Sequence, residues 1–181
     1  MMKKIFMTMV AAMVAMTMNA QVYVGGSVGF GSAKLGSGDS ESTYKIAPEV
    51  GYNLNDQWAV GVGIGYQKGT CNFGHLDFNP GKTEVFVVNP YVRYTFLESD
   101  IVKLFMDGEL GFASYKDAGS AFQVGVCPGI ALKASEKISL VAHIGFAGFE
   151  TYSPKGDGDS SNAFGVNLDN NNILLGVYYN F

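Results

Sequence analysis

From Trp58 to Tyr66 the chain alternates strictly, with Trp58, Val60, Val62, Ile64 and Tyr66 on one side and Ala59, Gly61, Gly63 and Gly65 on the other. Period-2 alternation predicts a β-strand. The segment before it, Pro48–Asn53, alternates too, and Asn53–Gln57 between them is polar, so Pro48–Tyr66 predicts a hairpin. The same layout returns without a gap at Pro128–Phe146, with its turn at Ala134–Lys137, and at Pro90–Phe112, where four extra residues surround the turn at Leu97–Ile101. A recurring hairpin is the repeat unit of an all-β chain.

The two faces of the hairpin are unequal. Val50, Tyr52, Trp58, Val60, Val62, Ile64 and Tyr66 share one face, and Glu49, Gly51, Asn53, Ala59, Gly61, Gly63, Gly65 and Gln67 share the other. The second face is too small and too polar to be an oily core. The large apolar face must therefore meet another apolar medium, and lipid is that medium.

Read in order, the pattern predicts eight strands: Val22–Gly31, Tyr44–Asn53, Trp58–Tyr66, Glu84–Phe96, Val102–Phe112, Phe122–Lys133, Ile138–Phe146 and Asn171–Phe181. Polar loops fall at Ala33–Thr43, Lys68–Lys82 and Glu150–Asn170, with a shorter connection at Tyr115–Ser120. Short turns therefore lie at one end and mostly long connections at the other, as in barrels of the bacterial outer membrane. An even count lets the first strand pair with the last, and closure leaves no unpaired edge in lipid. Pro48, Pro90 and Pro128 interrupt this reading, because proline cannot donate to a ladder. Their recurrence at one place in the repeat predicts a local break or bulge.

Aromatic or bulky residues recur eight apart on one face: Tyr44 and Tyr52, Trp58 and Tyr66, Phe86 and Tyr94, Leu104 and Phe112, Ile138 and Phe146. Eight residues at ~3.3 Å, tilted by about 40°, rise roughly 20 Å, near the ~25 Å apolar band between aromatic girdles. Tyr44, Tyr52, Trp58, Tyr66, Phe86, Tyr94, Phe112 and Phe146 are the expected girdle.

Composition agrees with strands rather than helices. The 181 residues include 24 Gly, 13 Phe and 10 Tyr, and mean hydropathy is only +0.13. Residues 1–20 differ: Lys3 and Lys4 precede an apolar run, Ile5–Met18, and Asn19-Ala20 ends in a small residue, which predicts a secretory signal peptide cleaved after Ala20. Residues 21–181 are then one barrel domain. Without Lys3 and Lys4, 10 basic residues face 16 acidic ones, a net charge of about −6, and no basic cluster invites nucleic acid. Cys71 and Cys127 form neither a disulfide framework nor a metal spacing.

The chain ends with Ile173, Leu175, Val177, Tyr179 and Phe181 on one face. A terminal Phe with an aromatic two residues before it is similar to the C-terminal insertion signal of outer-membrane barrels, here Val177, Tyr179 and Phe181. With the leader and the hairpin repeats, residues 21–181 resemble the small outer-membrane β-barrel (porin family) proteins of the eight-stranded OmpA/OmpX-like type. The cleavage region resembles those of Bacteroidetes secreted proteins. The resemblance implies a monomeric up-and-down barrel in the outer membrane of a Gram-negative bacterium. Its implied partners are outer-membrane lipid, lipopolysaccharide and, during insertion, the barrel-assembly machinery; it implies no cofactor and no nucleic acid.

An eight-stranded barrel has an interior just wide enough for side chains to fill. Lys45, Glu49, Arg93, Asp107, Glu109 and His143 fall on the inward face and are expected to form a structural charge network. Asp107 and Glu109 as acid and base, with His143 as catalyst, is the competing reading, but the two carboxylates stand two apart on one strand and are flanked by basic residues elsewhere, which suits salt bridging. His75 and Asp77, in CNFGHLDFNPG, raise a lipid-modifying enzyme, but nothing supplies a positioned nucleophile. Asp157–Ser161 starts like a Ca²⁺ loop, but Asn162 stands where Gly is needed and Leu168 where Glu is needed. No metal site is expected. The function reading is a non-enzymatic barrel that anchors surface loops and supports the envelope, with a narrow solute pore second and a lipid-modifying enzyme third.

Overall fold

A computed structural model describes residues 21–33, 41–69, 83–156, 158–167 and 173–181. They form ten β-segments: β1 (Val22–Ala33), β2 (Glu41–Asn53), β3 (Trp58–Gly69), β4 (Thr83–Glu98), β5 (Val102–Tyr115), β6 (Gly119–Lys133), β7 (Ile138–Ile144), β8 (Phe146–Pro154), β9 (Ser161–Asn167) and β10 (Ile173–Asn180). Every pairing is antiparallel. Each of β1 to β6 pairs with the next, β7 pairs with β10, and β10 returns to β1, so eight strands close a barrel. No helix in the described residues is long and apolar enough to cross a membrane.

The ten segments make eight staves because two staves are divided. β6 pairs with β7 through Gly129–Lys133 and with β8 through Gly119–Val126. β8 thus continues β7, and β9, which pairs with β8, belongs to the stave that ends as β10. The predicted loop Glu150–Asn170 is therefore partly strand: it holds the end of β8 and all of β9. Polar composition hid them, because strands that run past the membrane need no apolar face.

The prolines behave in two ways. At Pro48 the β2–β3 ladder lapses between Ile46 and Glu49 and resumes in the same register. At Pro90 the β4–β5 ladder lapses between Val88 and Tyr91, again without slipping. At Pro128 the register does slip by one: Gly129 faces His143, whereas Val126 faces Ala147. The extra residue is Gly145, at φ 74°, a backbone that glycine enters without a Cβ clash.

That bulge corrects one girdle residue. Phe146 continues the outward parity of Ile138, Leu140 and Ile144 in the sequence, yet it is 4% exposed. The inserted Gly145 turns it inward, over Gly125 and Gly148, where an added Cβ would collide with the ring. The other seven predicted girdle residues, Tyr44, Tyr52, Trp58, Tyr66, Phe86, Tyr94 and Phe112, all face outward. Cross-strand neighbours stack there, Trp58 on Tyr94 at 4.8 Å and Phe112 on Phe122 at 5.2 Å between ring centroids.

Candidate functional site: the charged layer across the lumen

The lumen is not lined only by small and charged residues. Tyr23, Tyr91, Phe105 and Tyr178 are buried inside it together with Ala59, Ala131 and Val141. Each ring lies across the barrel wall onto a glycine directly opposite on the next strand: Tyr23 on Gly51, Tyr91 on Gly61, Phe105 on Gly129, and Tyr178 on Gly25. At each of these glycines an added Cβ would fall inside the ring it faces. The inward glycines of the repeat therefore make space for rings, the cross-strand device by which an aromatic covers a glycine.

The rings converge on Arg93. Its guanidinium carbon lies 3.9 Å from the centroid of Phe105, 5.2 Å from Tyr91, 5.7 Å from Tyr23 and 5.9 Å from Tyr178. A cation within about 6 Å of a ring face is attracted by its quadrupole, most strongly when desolvated. Asp107, directly across on β5, grips the same guanidinium in the bidentate manner: Arg93 Nε donates to Oδ1 and Nη2 to Oδ2, both at 2.8 Å. Such forked pairs are the strongest ion pairs available to a carboxylate.

The remaining predicted charges are placed around this pair. His143 Nε2 lies 2.9 Å from Asp107 Oδ2 and 3.4 Å from Arg93 Nη2. Glu49 stands 3.8 Å from Arg93 and accepts hydrogen bonds from the hydroxyls of Tyr91 and Tyr178, the latter at 2.5 Å. The Tyr23 and Tyr91 hydroxyls are 2.6 Å apart. Glu109 forms a second tier, where Asn89 Nδ2 donates to it at 2.9 Å and Gln123 Nε2 at 3.1 Å. Lys45 is buried and lines the same cavity as Glu49 and Glu109.

The layer divides the lumen in two. Toward the long connections lies a cavity of about 110 Å³, bordered by Glu49, Tyr91, Asp107, His143 and Tyr178. Toward the short turns lies one of about 370 Å³, bordered by Tyr23, Arg93, Phe105 and Tyr178. Outside the membrane-spanning strands, Lys116 in the turn 116–118 donates to Glu84 at 3.0 Å. That hydrogen bond, and then the carboxylate's charge, holds its pKa above the ordinary lysine value.

Chemically the layer is quiet. Asp107 is engaged by both forks of Arg93 and by His143, and Glu49 and Glu109 each accept two side-chain hydrogen bonds. Among the described residues no group of three or more His, Cys, Asp or Glu could hold a metal. Cys127 is buried, and its thiol donates to the Gly145 carbonyl at 3.1 Å. His75, Asp77 and Cys71 lie outside the described residues. Tyr23, Tyr91, Phe105 and Tyr178 were missed by the sequence reading. Their parity was the available signal: Tyr23 shares its face with Gly25, Tyr91 with Arg93, Phe105 with Asp107 and Tyr178 with Gly176.

Residues 5–181 match the family model described as outer membrane protein beta-barrel domain. The chain belongs to that family. It is accordingly an outer-membrane barrel of the Gram-negative envelope. The crystal structure of Neisserial surface protein A (NspA) is similar, with a TM-score of 0.52 at 14% identity, over 90% of this chain and 98% of that one. At that identity the likeness speaks for the fold alone. No curated protein matches the chain in sequence.

Proposed function

We propose that this outer-membrane barrel is a non-enzymatic, sealed anchor: it holds surface loops at one end and contributes to the integrity of the envelope. The observation that carries the reading is the Arg93–Asp107 pair, ringed by four aromatic side chains between the two cavities of the lumen. A charge in the middle of a membrane is costly and marks function by default. Here the charges answer one another instead of a passing substrate, so the function they serve is closure and rigidity. In this reading Lys45, Glu49, Arg93, Asp107, Glu109 and His143 are structural, and the seven outward aromatics position the barrel between the lipid interfaces.

The same reading takes residues 1–20 as a cleaved leader and Val177, Tyr179 and Phe181 as the signal read by the assembly machinery. It takes the barrel as a monomer of the porin-family, Bacteroidetes-like kind in contact with lipid and lipopolysaccharide. A narrow pore is the second reading, favoured by the cavities on both sides of the layer. Liposome swelling separates the two. Proteoliposomes should swell in arabinose no faster than protein-free vesicles, whereas swelling proportional to protein content would replace the anchor with the pore.

A further inference from the structure

Among the described residues, the strands close the barrel over part of its height. β1 pairs with β2 along all of Val22–Ala33, but with β10 only from Tyr23 to Gly26. Beyond Gly26, the second edge of β1 has no strand partner among the described residues. β9, the last strand in the opposite direction round the sheet, pairs only with β8. The side chains along this seam are far more exposed than most others on the apolar face: Val28 is 80% exposed and Leu175 71%, against 37% for Val60 and 41% for Val124.

The seam leads inward. The cavity on the long-connection side of the Arg93 layer is bordered by Gly26 and Ser27 of β1 and by Leu175 and Gly176 of β10, as well as by Glu49, His143 and Tyr178. Two residues without side chains thus sit where the wall parts. Val28 stands opposite Ile46, which stands opposite Tyr66, so the opening lies at the level of the outward aromatics. Backbone left unpaired at membrane depth is tolerated where it borders a water-filled cavity, and this seam borders the cavity above the Arg93 layer.

We propose that the seam is a lateral portal for a single-chain amphiphile of the outer membrane. The polar head enters the cavity beside Ser27, Glu49 and Tyr178, while the chain stays in the bilayer against Val28 and Leu175. Three carboxylates, Glu49, Asp107 and Glu109, border that space with Lys45 and His143, which favours a head that is neutral or carries an ammonium group over an anionic one. The inference goes beyond the sealed-anchor reading and is tested apart from it, since conductance reports the Arg93 layer and labelling reports the seam.

The test uses protein extracted from outer membranes and placed in nanodiscs. Two photoreactive probes are needed: a monoacylglycerol with a diazirine beside the ester, and the same lipid with the diazirine at the far end of its chain. After irradiation, the first should label Glu49, His143 or Tyr178, and the second the outer face near Val28 and Leu175. If the β1–β10 register were extended, Val28 would meet Leu175, so V28C/L175C in a Cys71→Ser background gives a lock. A bis-methanethiosulfonate linker, which joins the two introduced thiols as mixed disulfides and releases methanesulfinate, should cut head-side labelling at least tenfold, and reduction of those disulfides should restore it. Ser27→Phe, which fills the cavity mouth, should do the same without chemistry. Absence of lumen adducts from the head-side probe overturns the portal, as does labelling that neither closure reduces. A dimer cross-linked through V28C alone, with an unlabelled lumen, would assign the seam to a second copy of the chain instead.

Discussion

Glycine at four inward positions is a packing decision, made one residue at a time. Gly129 gives way to Phe105, and Phe105 carries the ring closest to Arg93. A methyl group at Gly129 must displace that ring, and overpacking of this kind costs about 1–3 kcal/mol. Gly129→Ala is therefore expected to lower the midpoint of urea unfolding in lipid vesicles. Gly165→Ala, where an added Cβ meets nothing, should leave it unchanged. Equal midpoints for both variants would mean that the ring does not depend on its glycine. The ionisable members of this site were legible in the sequence because a charge on the small face of a lipid-facing strand has only the lumen to occupy. The tyrosines were not. An aromatic suits a girdle as well as a lumen, and only the parity of Tyr23, Tyr91 and Tyr178, shared with Gly25, Arg93 and Gly176, separates the two.

Among the elements, the strands of the membrane band were legible and their extensions were not. Alternation is imposed where one face meets lipid, so β3, β5 and β10 declare themselves. β9 and the outer half of β8 stand where both faces can be polar, and the constraint that writes the pattern is absent. Gly145 was illegible for another reason: one glycine among 24 carries no mark of its positive φ. The last element presents Val177 and Tyr179 outward, with the Tyr179 and Phe181 rings 4.8 Å apart, edge to face. Its neighbour β1 is held through only four residue pairs, so closing the barrel relies on this strand being delivered correctly. Replacing Tyr179 and Phe181 together by Ala should lower the amount of heat-modifiable, folded protein in the outer membrane severalfold, with unfolded chain accumulating in the periplasm. Undiminished folded protein would remove these rings from the insertion signal.

At the scale of the whole molecule, an eight-stranded wall leaves an interior that side chains can fill, and this sequence fills it with Arg93, Lys45 and their partners. Removing one member of a buried pair typically costs 3–5 kcal/mol, because the other is left charged and unanswered. Losing Arg93 should therefore both weaken the barrel and join the two cavities that it separates. Single-channel recording in planar bilayers tests this most directly. Wild-type protein should show no steady conductance, whereas Arg93→Ala should show frequent, irregular openings and unfold at lower urea. Large, stable currents from the wild type, with Arg93→Ala changing only the ion selectivity, would contradict the sealed barrel.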